Sequence, residues 1–368
     1  MPDSPYCPPP ESEGGWRTDT CPDFVRSLGL DPGRLDDVLD AGVNAPTSTW
    51  PDPHHEHVSC IVIKDGWIVG ERYSKPEAKT FRQYLSSNGK AVAATLMGIL
   101  VEESDLELDS KVYDKRWLPE GFPLSDKRKD EVTLHQILKH TSGICPEDDE
   151  DGRDQWDDYA EWIVGQDAKW PVTGRMFFDP DSDSGYSSVG FGHLSLMIPH
   201  LTGKSAGKVV WERLLKPIGV AGLSFFRPPS DGSIQSLQVD DPRAADLDHI
   251  WFSAGALEMT PRDYARFAWL LMNDGTWNGD QLVPAEWLKR FRTSGDYPNI
   301  HGNCDGYFNR EYGGDYPADL FRIYGSGINA AYIIPSLDLM LIRTGRGDNG
   351  AAKEVNGRML QALFSAAL

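Results

Sequence analysis

Ser87-Asn-Gly-Lys90-Ala-Val-Ala-Ala-Thr-Leu-Met-Gly-Ile-Leu-Val-Glu-Glu103 is the stretch on which the fold turns. From Ala91 to Glu103, the residues Val92, Leu96, Ile99 and Leu100 recur at helical intervals, which predicts a helix. Ser87 and Lys90 stand at its start, on one helical face and within hydrogen-bond reach of each other. A helix N-terminus also offers unpaired N–H groups to a developing oxyanion. Lysine ordinarily titrates near ~10.4 and acts as a base only where burial or neighbouring cations depress that value. The Ser-x-x-Lys pattern alone is weak, because Ser205-Ala-Gly-Lys208 repeats it.

Working outward, Val58–Lys64 and Trp67–Tyr73 are β-rich runs around a two-residue Asp65-Gly66 turn, the clearest hairpin in the chain. Before it, Asp31 caps a short helix with Pro32 in its first turn. Residues 1–25, rich in Pro, Glu and Gly, read as an irregular N-terminal arm. From about 105 to 250 helical pieces alternate with polar loops. Pro261–Asn273 is helical, Ala330–Ile334 and Leu339–Thr344 form a second hairpin, and Ala351–Leu368 closes the chain as a helix. The expectation is an α/β body (residues 26–104 and 251–368) whose sheet is built from both chain ends and flanked by helices. Residues 105–250 form an α-rich inserted subdomain.

The chain has 368 residues, a formal charge of −20 and 40% apolar residues, enough to bury a core without staples. The acidic balance disfavours nucleic acid and anionic membrane surfaces as partners. No run reaches the ~18 apolar residues of a membrane span. Met1-Pro-Asp-Ser-Pro-Tyr lacks the basic and apolar regions of a signal peptide, so the expectation is an intracellular protein or one whose leader is removed. Five scattered cysteines make no disulfide scaffold, although Cys7 and Cys21 could clip the arm in an oxidising compartment.

Ser87 gains weight from its company. Val132-Thr-Leu-His-Gln-Ile-Leu-Lys-His140-Thr-Ser-Gly143, Gly185-Tyr186-Ser-Ser188, Phe252-Ser-Ala-Gly-Ala-Leu-Glu-Met-Thr-Pro-Arg-Asp263 and Ile323-Tyr-Gly325-Ser326-Gly327 follow it in that order. From about residue 30 onward the chain resembles the serine β-lactamase and penicillin-binding-protein superfamily. Within it, the class C β-lactamase-related esterases and 6-aminohexanoate-dimer hydrolases are most similar. The resemblance implies a β-lactamase/transpeptidase-like fold with an antiparallel sheet. It implies Ser87 as nucleophile, Lys90 as its base and Tyr186 as a partner in proton transfer. The backbone N–H groups of Ser87 and Ser326 would form the oxyanion hole. Ser188, Tyr324, Gly325 and Trp251 would support substrate. Taken alone, Tyr186 would read as a half-buried aromatic with a satisfied hydroxyl.

Two departures from the family pattern matter. The Asn of the Y-x-N motif is Ser188, and the cation opening the third motif is Ile323. That cation binds a substrate carboxylate. Its loss points to an uncharged ester or amide; Arg343 or Arg346 could substitute from the neighbouring strand, but both read as surface residues. The implied activity is a serine hydrolase without metal or organic cofactor, acting on a small molecule. The rivals are acyl transfer from the same acyl-enzyme, a catalytically silent binding protein, and β-lactamase or D-Ala-D-Ala peptidase activity.

Other signals read as structure. Gly203-Lys-Ser205-Ala-Gly207 fits a nucleophile elbow, with Asp240 or Asp246 and then His249 downstream, but the residues before it are helically spaced; it reads as an interhelix turn. Pro53-His54-His55-Glu56-His57 could hold a metal, but adjacent histidines before a strand point in different directions, and the stretch reads as a polar loop. Asp179-Pro-Asp181-Ser-Asp183 lacks the later residues of a calcium loop, and Gly203-Lys-Ser205 lacks the first glycine of a phosphate loop. The acidic run Glu147–Asp151 reads as a solvated loop that could rim the pocket, and Trp156, Trp162 and Trp170 as roof or core.

Overall fold

The computed structural model describes residues 6–47, 56–147, 174–227, 235–238, 253–292 and 305–367. Helix α1 (Pro22–Ser27) already interrupts the arm, and α2 (Pro32–Val43) starts where Asp31 accepts a hydrogen bond from the Arg34 N–H at 3.0 Å. Strands β1 (Ser59–Lys64) and β2 (Trp67–Tyr73) follow. Asp65 and Gly66 between them both take positive φ, the conformation that lets a two-residue turn match strand twist. After β3 (Gln83–Tyr84) comes α3 (Asn88–Glu103), whose residues from Asn88 to Leu100 are all buried. A helix apolar on every side belongs at the centre of a protein.

Helix α4 (Leu134–Lys139) carries a reciprocal Thr133–Gln136 capping box and ends at His140, in the left-handed region at φ 60°. Helix α5 (Ser188–Thr202) starts at the Ser187 cap and stops at Gly203, φ 69°. A short α6 (Ala206–Val210) follows Ser205. The elbow motif is therefore the turn between two helices.

Strands β4 (Ser224–Arg227) and β5 (Gln235–Gln238) come next, then β6 (Leu257–Met259) and α7 (Pro261–Met272). A tight hairpin of β7 (Thr276–Trp277) and β8 (Asp280–Gln281) precedes α8 (Ala285–Arg292) and α9 (Asp305–Tyr312). The chain closes with β9 (Phe321–Gly325), β10 (Asn329–Ile334), β11 (Leu339–Thr344) and α10 (Ala352–Ala366).

The main sheet is antiparallel in the order β2-β1-β11-β10-β9, so β1 from one end of the chain pairs with β11 from the other. Both faces are covered. Ile61, Ile63, Ile323, Ala331, Ile333 and Ile342 pack with α3 and α7 in one core, and Cys60, Val62, Tyr332, Leu339 and Leu341 pack with α2 and α10 in the other. This double burial explains why β10 and β11 read as unbroken apolar runs.

The middle segment is less purely helical than its sequence predicts. Strands β4 and β5 join β3 and β6 in a second sheet, ordered β3-β6-β4-β5. Strands of two to four residues carry too few side chains for alternation to register. The arm is docked as well: the buried Arg266 guanidinium donates to the Pro8 and Pro9 carbonyls, and the Trp269 indole donates to Tyr6. Cys7 and Cys21 are free thiols. No helix among the described residues is long and apolar enough to cross a membrane.

Candidate active site

The turn before α3 is held open by its neighbours. Ser86 takes φ 51°, rare for a non-glycine residue, and Ser87 makes no side-chain cap to the helix it begins. Asn88 does the tying instead, donating through Nδ2 to the Leu85 carbonyl at 2.8 Å and to the Asn329 carbonyl at 3.2 Å. Its Oδ1 accepts from the Tyr264 hydroxyl on α7 at 2.8 Å. The Ser87 hydroxyl is thus left out of the helix's own bonding. Gly255 runs beneath this turn, where a Cβ would stand 2.9 Å from the Ser86 carbonyl carbon.

Lys90 is 1% exposed and its Nζ has three oxygen neighbours: Ser188 Oγ at 2.8 Å, the Ala254 carbonyl at 2.8 Å and Ser87 Oγ at 3.3 Å. The face of the Tyr186 ring lies over it, 4.6 Å from Nζ to the ring centroid, a cation–π contact. The structure therefore brings Ser87, Lys90, Tyr186 and Ser188 together. In place of the amide expected in the second motif, the Ser188 hydroxyl supplies the lysine's acceptor. The Ala254 carbonyl is a partner that sequence reasoning missed, since a backbone oxygen leaves no residue-type signal.

His140 and Glu147 surround these residues. His140 is 2% exposed; its Nδ1 accepts from the Ser187 N–H at 3.0 Å and its ring lies 4.6 Å from that of Tyr186. Burial, reinforced by the Lys90 charge, pushes its pKa well below the ordinary 6.5, so the imidazole is neutral. Glu147, read from sequence as solvated, instead accepts from the Ser188 N–H at 2.8 Å through Oε1. A carboxylate there meets the positive end of α5.

Strand β9 closes the other side. A Cβ at Gly325 would stand 2.3 Å from the Leu85 carbonyl oxygen and 3.1 Å from the Ser87 nitrogen, so only glycine lets the strand approach this closely. Ser326 follows, exposed at the strand end. Among the described residues, neither the Ser87 N–H nor the Ser326 N–H donates within the protein. Ile323 is fully buried in the core beside α3. Tyr324 points away from it, half-buried in the core under α10, with the Arg322 guanidinium 4.8 Å over its ring. Trp251 lies outside the described residues, as do His54, His55, Trp156, Trp162, Trp170 and His249.

The surface reading of two arginines is corrected. Arg346 is 6% exposed and Arg343 is fully buried. Arg343 donates to the carbonyls of Gly42 at 3.2 Å, Gly327 at 2.7 Å and Ile328 at 3.1 Å. Burial lowers its pKa to about 10. Its sequence position at the end of an apolar strand hid this clamp on the turn after β9. Asn349 completes the clamp, accepting from the Gly327 N–H at 2.7 Å and donating to Ser326 Oγ at 2.7 Å. No group of three or more metal-ligating side chains occurs among the described residues. Asp181 binds Thr141 and Gln136 instead.

A sequence model of the Beta-lactamase family matches residues 45–342. The chain belongs to the beta-lactamase family. It is thus a member of the beta-lactamase-like serine hydrolase superfamily. Penicillin-binding protein 4 of Amycolatopsis lactamdurans is 31% identical over 206 residues, which cover 51% of this chain and 50% of that protein. The chain spans about half the length of the curated relatives it matches. Among solved structures it is similar to EstCE1, a hydrolase with promiscuous acyltransferase activity (TM-score 0.68, 14% identity, 93% of this chain and 100% of that one). It is also similar to a D-stereospecific amidohydrolase from Streptomyces sp. (TM-score 0.58, 18% identity, 90% and 98%). At these identities the solved structures establish a shared fold, that of the beta-lactamase family.

Proposed function

We propose that the protein is a serine hydrolase that forms an acyl-enzyme on Ser87 and cleaves a neutral small-molecule ester or amide. The observation that carries this reading is the environment of Lys90. A neutral amine has two N–H bonds and one lone pair. Once Lys90 has given up a proton, N–H bonds kept on the Ala254 carbonyl and Ser188 Oγ leave its lone pair for Ser87 Oγ, 3.3 Å away. Lys90 takes the Ser87 proton as Oγ attacks the carbonyl carbon. The oxyanion so formed accepts from the Ser87 and Ser326 N–H groups. Tyr186 and the protonated Lys90 return the proton to the leaving oxygen or nitrogen, and water repeats the sequence to release the acid.

The neutral substrate is supported by the residue at position 323 and by the fate of Arg343. Ile323 fills the position of the family's carboxylate-binding residue and is buried, while Arg343 is committed to backbone carbonyls. The chain's charge of −20 opposes an anionic substrate further. Fluorophosphonate labelling followed by peptide mass spectrometry tests the nucleophile. The expected adduct is on Ser87, with p-nitrophenyl butyrate turned over by wild type and not by Ser87→Ala. An adduct on Ser205 with none on Ser87 would overturn the reading, and brisk nitrocefin hydrolysis would overturn the neutral substrate. Acyl transfer is the second reading, favoured by the likeness to EstCE1. The ratio of ester exchange to hydrolysis with an added alcohol decides between the two.

A further inference from the structure

We infer that Glu147 and His140 are positioning residues that set the geometry of Tyr186 and Ser188 around Lys90; the inference rests on the acyl-enzyme reading of Ser87 and Lys90. Two consecutive peptide groups, Tyr186–Ser187 and Ser187–Ser188, are fixed from one side by three hydrogen bonds. The Tyr186 carbonyl accepts from the Glu147 N–H at 2.7 Å, the Ser187 N–H donates to His140 Nδ1 at 3.0 Å, and the Ser188 N–H donates to Glu147 Oε1 at 2.8 Å. The residues that do this come from the turn after α4, so they tie that turn to the first residues of α5.

The bonding also explains how Ser188 serves Lys90. The first N–H groups of a helix lack partners inside it. The Ser187 hydroxyl accepts from the Gly190 N–H at 2.8 Å, as a cap does, and so is spent on the helix. The Ser188 N–H is satisfied by the Glu147 carboxylate, so no side-chain hydroxyl has to turn back to cap it. Ser188 Oγ is left to accept from Lys90. His140 contributes through its tautomer. With Nδ1 accepting, the ring proton sits on Nε2. A second proton would convert Nδ1 from acceptor to donor and set it against the Ser187 N–H.

Tyr186 is held by the same frame. Its backbone is fixed by Glu147, and the His140 ring and Lys90 Nζ both pack against its ring. If the frame loosens, Ser188 Oγ and the Tyr186 ring move away from Nζ, and Nζ loses its alignment with Ser87 Oγ. Substrate contacts elsewhere in the site remain. The expected signature is a fall in kcat with KM nearly unchanged.

The test is steady-state p-nitrophenyl butyrate hydrolysis and the rate of fluorophosphonate labelling at Ser87, with thermal midpoints measured alongside. Glu147→Gln keeps an acceptor oxygen and is expected within about threefold of wild type in kcat. Glu147→Ala is expected to lose at least ~30-fold in kcat and in labelling rate, with KM within about threefold. His140→Asn places an oxygen acceptor near the Nδ1 position and tolerates the positive φ. His140→Gln places it near Nε2. The Asn variant should retain most of the labelling rate, and the Gln variant should lose at least ~10-fold. This pair decides the matter if Glu147→Ala does not fold. Wild-type labelling rates in Glu147→Ala, or equal rates in the two His140 variants, would overturn the inference while leaving the Ser87 reading intact. A wild type that is not labelled at Ser87 would overturn both.

Discussion

Replacing Gly325 by alanine tests whether β9 and the Ser87 turn form one rigid site. The backbone at Gly325 is not in the left-handed region, so alanine brings no conformational strain of its own. Its methyl group would stand 2.3 Å from the Leu85 carbonyl oxygen, 2.8 Å from Asn88 Nδ2 and 3.1 Å from the Ser87 nitrogen. An ordinary carbon–oxygen contact is about 3.3 Å or more, so the strand and the turn must separate by about 1 Å. The nearest obstacle is backbone and cannot swing aside. Asn88 cannot yield freely either, because its amide bridges Leu85 and Asn329 and is held by Tyr264. The displacement falls between the Ser87 and Ser326 N–H groups. Misplacement of about 1 Å costs on the order of 100-fold in rate, or about 2.7 kcal/mol. Overpacking should cost a further ~1–3 kcal/mol of stability. Ester hydrolysis by wild type and Gly325→Ala, with urea unfolding of both, measures the two effects. A variant that keeps kcat/KM within about threefold while folding normally would refute the rigid junction.

Two further outcomes follow from the buried charges. Arg343→Lys offers a compact cation in place of a planar fork and cannot reach Gly42 on one side and Gly327 on the other. Urea unfolding should show a loss of at least ~2 kcal/mol from the buried carbonyls that lose the guanidinium donor, and an unchanged midpoint would discount the clamp. His193, buried under the Tyr113 hydroxyl, has its pKa lowered to about 4 by burial, with Lys129 adding to the effect. The unfolded chain then binds a proton below about pH 6.5 that the native state refuses. Stability should therefore fall as pH drops from about 6.5 towards 4, by on the order of 3 kcal/mol from this group alone. Urea midpoints across that range should slope less in His193→Phe; an equal slope would dismiss His193 as the cause.

Much of the site was legible because its residues are local to one another. Ser87 and Lys90 share a helix turn, and Tyr186 and Ser188 share the entry to another. Glu147 was misread because an acidic run looks alike whether water or a helix N-terminus faces it. Arg343 was misread because its partners are backbone carbonyls, which carry no residue identity. Tyr324 falls on the far side of β9 from Ile323, as strand alternation requires once the buried face is known.

The sequence by itself determined the local pieces: the β1–β2 and β10–β11 hairpins, the central α3, and the order of motifs that marks the family. These rest on short-range physics, namely turn residues, caps and the 2- and 3.6-residue periods that any segment carries within itself. Only the tertiary structure decided what surrounds Lys90. Its acceptors Ser188 and Ala254 lie 98 and 164 residues away in the chain. Periodicity tells which side chains share a face; the packing of α5, β9 and the Ala254 segment against α3 decides what that face meets.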